Sequence, residues 1–202
     1  MKKNKLILFD WGGIVEDNHA WYGEYQKIFH ACGYDGELDL SKYRMSAIPN
    51  KEEFRKVYDN QIKKDYNLNV DFEVFIEKFI KGLDPTPYYK EVVEYEHSLK
   101  DKCYIGILSN LAIFDKDRLE RQVGLSNYDY FFLSFELASR KPEKEIFEMV
   151  QERLPFDKQD ILFIDDRKDN IEVAKEFGWN TCNATGLELD KIKEACESFI
   201  DK

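Results

Sequence analysis

The chain has 202 residues, of which 43% are hydrophobic and 35% charged, and its formal net charge at pH 7 is −10. This apolar fraction is enough to build a hydrophobic core, which excludes disordered and collagen-like chains. An acidic chain repels phosphate backbones, so we expect neither nucleic acid nor an anionic membrane surface as a partner.

The N-terminus and the cysteines indicate a soluble protein of a reducing compartment. The apolar run after the N-terminal lysines, Leu6 to Phe9, is too short for a signal peptide. No run approaches the ~20 apolar residues of a membrane span. The four cysteines form no CxxC pair, so neither a zinc site nor a disulfide framework is predicted. We therefore expect a cytoplasmic protein, and no sequence pattern indicates its oligomeric state.

Short apolar runs without alternation predict strands that are buried on both faces, as in a parallel sheet. They cover residues 5–10, 103–108, 130–133, 161–164 and 179–183. Helical patterns lie between them: one from Tyr88 to Leu99, one from Ile146 to Leu154 with Pro142 in its first turn, and one over 170–177 that Gly178 ends. This alternation predicts a doubly wound α/β sheet.

Residues 15–86 interrupt the alternation, because we find only helical periods there. One apolar stripe consists of Phe72, Phe75, Ile76, Phe79, Ile80 and Leu83, and another of Phe54, Val57, Tyr58 and Ile62. Asp71 is the predicted N-cap of the first of these helices, and the Asp-Pro-Thr-Pro sequence at 84–87 ends the segment. We expect an α/β core of residues 1–14 and 87–202, with 15–86 forming a helical insert around the phenylalanine stripe.

Polar residues collect at the carboxyl ends of the predicted strands, where parallel sheets bind ligands. In chain order they are Asp10 and Gly12, Ser109 and Asn110, Lys141, and Asp165 and Asp166. Each of them alone is also ordinary turn or cap chemistry. Because they follow successive strands of one sheet, together they predict a single site.

These residue types are typical of metal-assisted phosphoryl transfer. Clustered carboxylates repel one another unless a divalent cation neutralises them, and oxygen ligands suit Mg²⁺. Lys141 offers a compact positive charge to a phosphate, and the Ser109 hydroxyl can hold a phosphoryl oxygen. Arg140 and Arg167 lie near the same rim, where we expect them to be surface charges. We therefore predict an Mg²⁺ cofactor and a small phosphorylated metabolite as the substrate.

Four segments, in this order, resemble the motifs of the haloacid dehalogenase (HAD) superfamily. They are FDWGGIVED (9–17), ILSN (107–110), SRKPEKEIF (139–147) and ILFIDDRKDNIEVA (161–174). The resemblance covers the whole predicted core, and the helical insert lies where members of the family carry a type-1 cap. It implies a Rossmann-like fold and the activity of an Mg²⁺-dependent phosphatase.

The resemblance also implies a role for each acidic residue of the site. Asp10 would be the nucleophile that becomes an aspartyl-phosphate. Its other oxygen, the carbonyl of Gly12 and the carboxylate of Asp166 would ligate Mg²⁺. Asp165 would ligate the metal or orient one of its waters, and Asn170 would support those waters.

The remaining motif residues would bind the substrate. Ser109 would hold a phosphoryl oxygen, and Lys141 would bridge Asp10 and the phosphate. By the same resemblance, Asn110 and Gly12 belong to the phosphate-binding set. Phosphatases of the family usually carry a second Asp, the general acid and base, at the position of Gly12. Glycine cannot supply that proton transfer, which is typically worth ~10²–10⁴ in rate.

Three readings of this departure stay open. The protein could be a phosphatase whose substrate has a good leaving group, such as an anomeric sugar, acyl or aryl phosphate, or whose acid is Glu16, Asp17 or His19. It could cleave a C–P bond with Lys51 as a Schiff-base amine, or a C–halogen bond. It could also bind Mg²⁺ and an anion as a sensor or partner protein without effective catalysis. Candidate cap residues for substrate choice are Tyr22, Tyr25, Tyr43, Arg44 and Met45.

Overall fold

The sheet of the computed structural model has five parallel strands. They are β1 (Leu6–Phe9), β2 (Tyr104–Ser109), β3 (Tyr130–Leu133), β4 (Ile161–Asp165) and β5 (Asn180–Asn183). Their order is β3-β2-β1-β4-β5, and each neighbouring pair is parallel. The predicted α/β class with a parallel sheet is confirmed, and β1 lies at its centre. The structure describes residues 4–202, without the side chains of His19, Trp21 and Tyr22.

Helices cover both faces of this sheet. The α-helices described are α1 (Asn18–His30), α2 (Lys51–Val57), α3 (Lys63–Asp65), α4 (Phe72–Leu83), α5 (Lys90–Ser98), α6 (Lys116–Val123), α7 (Ser134–Leu137), α8 (Lys144–Gln151), α9 (Lys168–Phe177) and α10 (Leu189–Ile200). Side chains along β1 alternate between two clusters. Ile7 and Phe9 pack with α5, α6 and α10, whereas Leu6 and Leu8 pack with α8 and α9. Burial on both faces explains why the strand is apolar throughout.

Two strands extend further toward the predicted site than the sequence indicates. Ser109 is the last residue of β2 and pairs with Leu133, and Asp165 is the last residue of β4 and pairs with Asn183. The sheet ladder therefore fixes the backbone of both residues, instead of leaving them in loops after the strands.

The end of α9 agrees with the sequence pattern, whereas both ends of α8 differ from it. Gly178 follows the last residue of α9, as predicted, and its φ of 108° lies in the left-handed region. Pro142 lies in a turn before α8, and not in the first helical turn where the sequence places it. Leu154 lies beyond the end of α8 at Gln151, although it is still buried in the core.

The elements described between β1 and α5 are all helical and share a hydrophobic cluster of their own. Asp71 caps α4 as predicted, because its side chain accepts a hydrogen bond from the Val74 N–H at 3.1 Å. The phenylalanines of the stripe are buried, but Ile80 is 43% exposed. Six residues span more of the helix circumference than the packed face covers, which leaves Ile80 at its edge. The other predicted helix, with the stripe from Phe54 to Ile62, consists of α2 followed by a short π-helix, Tyr58–Ile62.

Two connecting segments join the helical insert to the sheet, and they run side by side. The Asp17 N–H donates to the Pro87 carbonyl at 3.0 Å, and the Tyr89 N–H donates to the Val15 carbonyl at 2.7 Å. The insert therefore begins and ends at one place, a few residues beyond the end of β1.

The four cysteines are buried and carry free thiols. Between residues 4 and 202, no helix combines the length and apolar character that crossing a bilayer requires.

Candidate functional site

Three carboxylates meet at the carboxyl end of the sheet because β1 lies between β2 and β4. Asp10 follows β1 directly, Asp165 ends β4, and Asp166 comes next. Each offers an oxygen, and these oxygens lie within 4.8 Å of one another. The structure thus brings together residues that are 155 positions apart in the chain, as the sequence predicts.

Asp10 is held by donors on both of its oxygens. Its Oδ1 accepts hydrogen bonds from the Ser109 hydroxyl at 2.5 Å and from the Trp11 N–H at 2.7 Å. Its Oδ2 lies 2.9 Å from the Lys141 ammonium. These contacts fix the direction of the carboxylate before any ligand arrives.

Lys141 is fully buried beneath the three carboxylates, with a side-chain exposure of 0%. Its ammonium lies 2.9 Å from Asp10, 2.6 Å from Asp165 and 2.9 Å from the Leu108 carbonyl oxygen. Its backbone is held by Asn110, whose carboxamide accepts from the Lys141 N–H and donates to the Lys141 carbonyl, both at 2.9 Å. Asn110 thus contacts the lysine backbone and fixes where the ammonium can lie.

Asp165 and Asp166 have different surroundings. Asp165 accepts hydrogen bonds from Lys141, from the Arg167 N–H at 2.8 Å and from the Asn170 amide, which reaches both of its oxygens. Asn170, expected to support metal waters, therefore holds Asp165 directly. Asp166 accepts a hydrogen bond from Asn18 at 3.1 Å on Oδ2, and among the residues that the structure describes its buried Oδ1 has no hydrogen-bond partner.

The surroundings of Asp166 Oδ1 indicate whether a cation fits this site. A buried acceptor without a donor costs free energy, about 1–3 kcal/mol, unless a ligand satisfies it. Here that acceptor belongs to the group of three carboxylates, and oxygen ligands are the ones that Mg²⁺ prefers. The three carboxylates therefore form a ligand set that fits a hard divalent cation, and Asp166 offers its unpartnered Oδ1 as a ligand atom.

Gly13 allows Asp166 to approach the loop after β1. Its φ is 78°, and a Cβ built on it would lie 2.4 Å from the carboxyl carbon of Asp166. Any side chain at residue 13 would therefore be strained and would collide with the carboxylate. Gly12 differs, because its backbone is not left-handed and the nearest atom to a Cβ there would be Asn18 Oδ1, at 2.9 Å.

The buried charges shift one another's pKa values. Burial, together with the nearby charges of Asp165 and Asp166, raises the pKa of Asp10 to about 7, against the opposing effects of Lys141 and Ser109. Burial by itself would lower the pKa of Lys141, but Asp10 and Asp165 outweigh it and raise that pKa. The lysine therefore stays charged and favours the ionised form of Asp10.

The sequence from β1 to the segment after β5 matches a model of the family described as haloacid dehalogenase-like hydrolase, over residues 7–184. The chain belongs to this HAD-like hydrolase family. It is therefore an enzyme, which favours the catalytic readings of the sequence over the binding-only one.

Among the similar proteins of the HAD family, two curated relatives are phosphatases. D-ribitol-5-phosphate phosphatase of Bacteroides thetaiotaomicron is 25% identical over 189 residues, which are 88% of this chain and 90% of that protein. Phosphorylated carbohydrates phosphatase of Thermotoga maritima is 26% identical over 181 residues, 86% and 82% of the two chains. A HAD family enzyme from Bacteroides thetaiotaomicron, solved as an aspartate-to-alanine mutant with magnesium and inorganic phosphate, is 21% identical. It covers 92% of this chain and 96% of its own with a TM-score of 0.71, which shows a shared fold.

The helical insert of this HAD hydrolase touches the sheet domain beside the site. The Arg44 guanidinium forms a two-pronged ion pair with Glu143, with Nη2 at 3.0 Å from Oε2. The Ser134 hydroxyl donates to the Ser46 carbonyl at 2.5 Å. Burial and the charges of Arg44 and Arg167 lower the pKa of Arg140, against the opposing charge of Glu143. Arg140 is thus partly buried, and not the simple surface charge expected from the sequence.

The described side chains of the other candidate residues of the insert pack or pair within the insert. Tyr25 and Met45 are buried in the insert, and the Tyr43 hydroxyl donates to Asp65 at 2.8 Å. The Lys51 ammonium, the candidate Schiff-base amine, lies 2.8 Å from Glu73 on the surface of the insert. The side chains of His19 and Tyr22 lie outside the described residues.

A second buried group of charges lies at the junction of insert and sheet, and we call Glu16, Asp115, Arg118 and Gln122 the junction cluster. Arg118 donates to Asp115 at 2.8 Å and lies 3.4 Å from Glu16. Gln122 donates to Glu16 at 3.1 Å and accepts from the Trp11 indole at 2.9 Å. Burial raises the pKa of Glu16 to about 8, against the opposing charge of Arg118.

Sequence reasoning did not identify Arg118 or Gln122. In KDRLERQV they match ordinary polar residues of an amphipathic helix. The arrangement of α6 against the connecting segments buries Arg118 and partly buries Gln122. Asn18 was missed as well, because an asparagine at the start of a helix is common. No local signal in the sequence separates it from a solvent-exposed cap.

Proposed function

We propose that this hydrolase is an Mg²⁺-dependent phosphatase of small phosphorylated carbohydrates that transfers the phosphoryl group first to Asp10 and then to water. The observation that carries the proposal is the environment of Asp10. A hydroxyl from Ser109 lies 2.5 Å from one carboxylate oxygen, and the Lys141 ammonium lies 2.9 Å from the other. The two relatives named as phosphatases support a phosphorylated carbohydrate as the substrate class.

Asp10 acts as the nucleophile in its ionised form. One of its oxygens forms a bond to phosphorus, the bond from phosphorus to the leaving oxygen breaks, and that oxygen keeps the electron pair and takes up a proton. Water then attacks the aspartyl-phosphate, which releases inorganic phosphate and restores the carboxylate. Ser109 and Lys141 flank the nucleophile, where they bind and orient the phosphoryl oxygens as charge develops.

The residues that would hold Mg²⁺ are Asp10, Asp166 and the carbonyl of Gly12. Asp166 is the strongest candidate for a direct ligand because one of its oxygens has no protein donor. Asp165 is surrounded by donors, so its role is to orient Lys141 and the neighbouring ligands. The cation, when bound, would offset the negative charge of the phosphoryl oxygens as an anionic nucleophile approaches.

The leaving group explains how the enzyme works with glycine at residue 12. Glu16 cannot act as the acid, because it is 2% exposed and its side chain is bound to Gln122 and close to Arg118. Asp17 accepts a hydrogen bond from the Ala20 N–H in the first turn of α1. The side chain of His19, the third candidate acid, lies outside the described residues. We propose that the best substrates are those whose leaving oxygen needs the least protonation, such as anomeric sugar phosphates.

The insert (15–86) acts as the cap of this site. Its contacts through Arg44 and Ser46 lie beside the turn that carries Lys141, and closing such an insert excludes water from the phosphoryl group. The paired connecting segments at Val15–Tyr89 and Asp17–Pro87 are the hinge.

The test is turnover of phosphate esters with graded leaving-group acidity, with and without Mg²⁺. We expect Mg²⁺-dependent release of phosphate that rises steeply with the acidity of the leaving group and is lost in Asp10→Asn. The matched control is Asp101→Asn, which makes the same change in an exposed turn and should keep full activity. Metal-independent turnover, or activity that survives in Asp10→Asn, would contradict the proposed function.

A further inference from the structure

Asn18 lies across the two glycines that follow the nucleophile. It is the first residue of α1, and its amide Nδ2 donates to Asp166 Oδ2 at 3.1 Å. A Cβ on Gly12 would lie 2.9 Å from its Oδ1, and a Cβ on Gly13 would lie 2.7 Å from its Nδ2. The carboxamide therefore fills the space into which a side chain at residue 12 would project.

We propose that Asn18 is the positioning residue that takes the place left by the absent side chain at Gly12, and that it holds Asp166 for the metal. The proposal rests on the proposed function. Asn18 does not transfer protons, and it acts on the reaction only through Asp166.

The chemistry of a carboxamide suits this position. It is neutral, so it adds no repulsion beside three carboxylates, whereas an aspartate at residue 12 would be a fourth acid. Its N–H₂ group donates to one oxygen of Asp166, and the other, the buried Oδ1, has no partner in the described part of the chain. Removing a group that hydrogen-bonds to a metal ligand typically lowers the metal affinity 10–100-fold.

The position of Asn18 also connects the insert to the metal site. Asn18 begins the first helix after the connecting segment, and Asp166 belongs to the sheet domain. Movement of the insert away from the sheet would withdraw the donor from Asp166. Ligand affinity at the carboxylates is thereby linked to the position of the insert.

The first test measures Mg²⁺ binding by titration calorimetry, without any substrate. We expect Asn18→Ala and Asn18→Leu to weaken Mg²⁺ binding about 10-fold, because both remove the donor to Asp166. Asn60→Ala, a change of the same size on the exposed surface of the insert, should leave the affinity unchanged. Affinities of the Asn18 variants within twofold of the unsubstituted protein would overturn the proposal.

The second test is a double-mutant cycle with Gly12→Asp, read on alkyl phosphates. We expect Gly12→Asp alone to gain less than about twofold in kcat, because Asn18 occupies the space of the new carboxylate. Gly12→Asp with Asn18→Ala should exceed Gly12→Asp at least about 10-fold, the low end of general acid help. Additive effects would overturn the proposal. Failure of the proposed function would appear separately, as no Mg²⁺-dependent turnover in the unsubstituted protein, while the calorimetric result still decides the role of Asn18.

Discussion

Two groups of buried charges lie on either side of Trp11, and they differ in whether their acceptors are satisfied. On one side the Trp11 N–H donates to Asp10 of the carboxylate site. On the other side its ring lies 4.8 Å from the Arg118 guanidinium, and its indole N–H is bound by Gln122, both in the junction cluster. A single residue thus separates the two groups.

In the junction cluster, the carboxylates of Glu16 and Asp115 are each bound by donors of the protein. Arg118 donates to the Leu83 carbonyl at 2.9 Å and to Asp115 at 2.8 Å, and Asp115 also accepts from the Ala112 N–H at 2.9 Å. The raised pKa of Glu16 lets protonation offset the second negative charge. At the carboxylate site, in contrast, Asp166 keeps an acceptor without a donor. Within residues 4–202, the unpartnered atom of the junction cluster is a donor, Arg118 Nε, whereas the carboxylate site has an unpartnered acceptor, Asp166 Oδ1. A cation could pair with the acceptor, but the guanidinium donor would repel it.

The largest effect is expected from Lys141→Met. The substitution removes the cation that faces Asp10 and Asp165, so activity should fall at least about 10³-fold. The pKa of Asp10 should rise further, since Lys141 opposes the effect of burial. Phosphate release with saturating Mg²⁺ measures this, and Lys144→Met at an exposed helix position is the control. A loss below tenfold would contradict the role of Lys141 at the site.

The next effect concerns stability and tests the junction cluster. Arg118→Met leaves the Asp115 carboxylate buried without its cation, and such a change costs about 3–5 kcal/mol in the free energy of unfolding. Denaturant unfolding measures this loss. Arg121→Met, three residues on and half-exposed in its pair with Asp84, should cost less than about 1 kcal/mol. Equal costs for the two variants would show that the buried cluster does not hold the junction.

The smallest effect is a pH dependence at Glu16. Its pKa of about 8 in the folded protein exceeds the ordinary value of 4.5, so the folded state binds more protons between these values. Stability therefore falls as pH rises through this window. Glu16→Gln removes this titration. We therefore expect the free energy of unfolding of the variant, relative to that of the unsubstituted protein, to rise by about 1–3 kcal/mol between about pH 5 and pH 8. A pH-independent difference between the two proteins would contradict this account.

The sequence predicts the carboxylate site well because the site depends on where strands end. Asp10, Ser109 and Asp165 each follow or finish an apolar run, and a parallel sheet brings such ends to one edge. The junction cluster depends instead on how α6 lies against two distant connecting segments. Nothing near Arg118 or Gln122 in the sequence records that arrangement.

The fold shows the same division. The fold class follows from the apolar runs, whereas the strand order, the exposure of Ile80 and the partner of Asn170 depend on tertiary packing. Periodicity gives the face of a helix, but the width of the face is set by what packs against it. The family resemblance gave roles to the motif residues, and it could not indicate Asn18, which lies outside the motif quoted for the nucleophile.

The three contacts of the Lys141 ammonium have a consequence for how an anion enters. An ammonium carries three protons, and here Asp10, Asp165 and the Leu108 carbonyl accept all of them. In the proposed reaction, a phosphate would reach this lysine by exchange, so that one of its own oxygens replaces one of these three. An uncharged analogue of the same shape could also displace one of these oxygens, but the displaced carboxylate would then be less well neutralised. The resting arrangement therefore discriminates against neutral molecules at the step of entry.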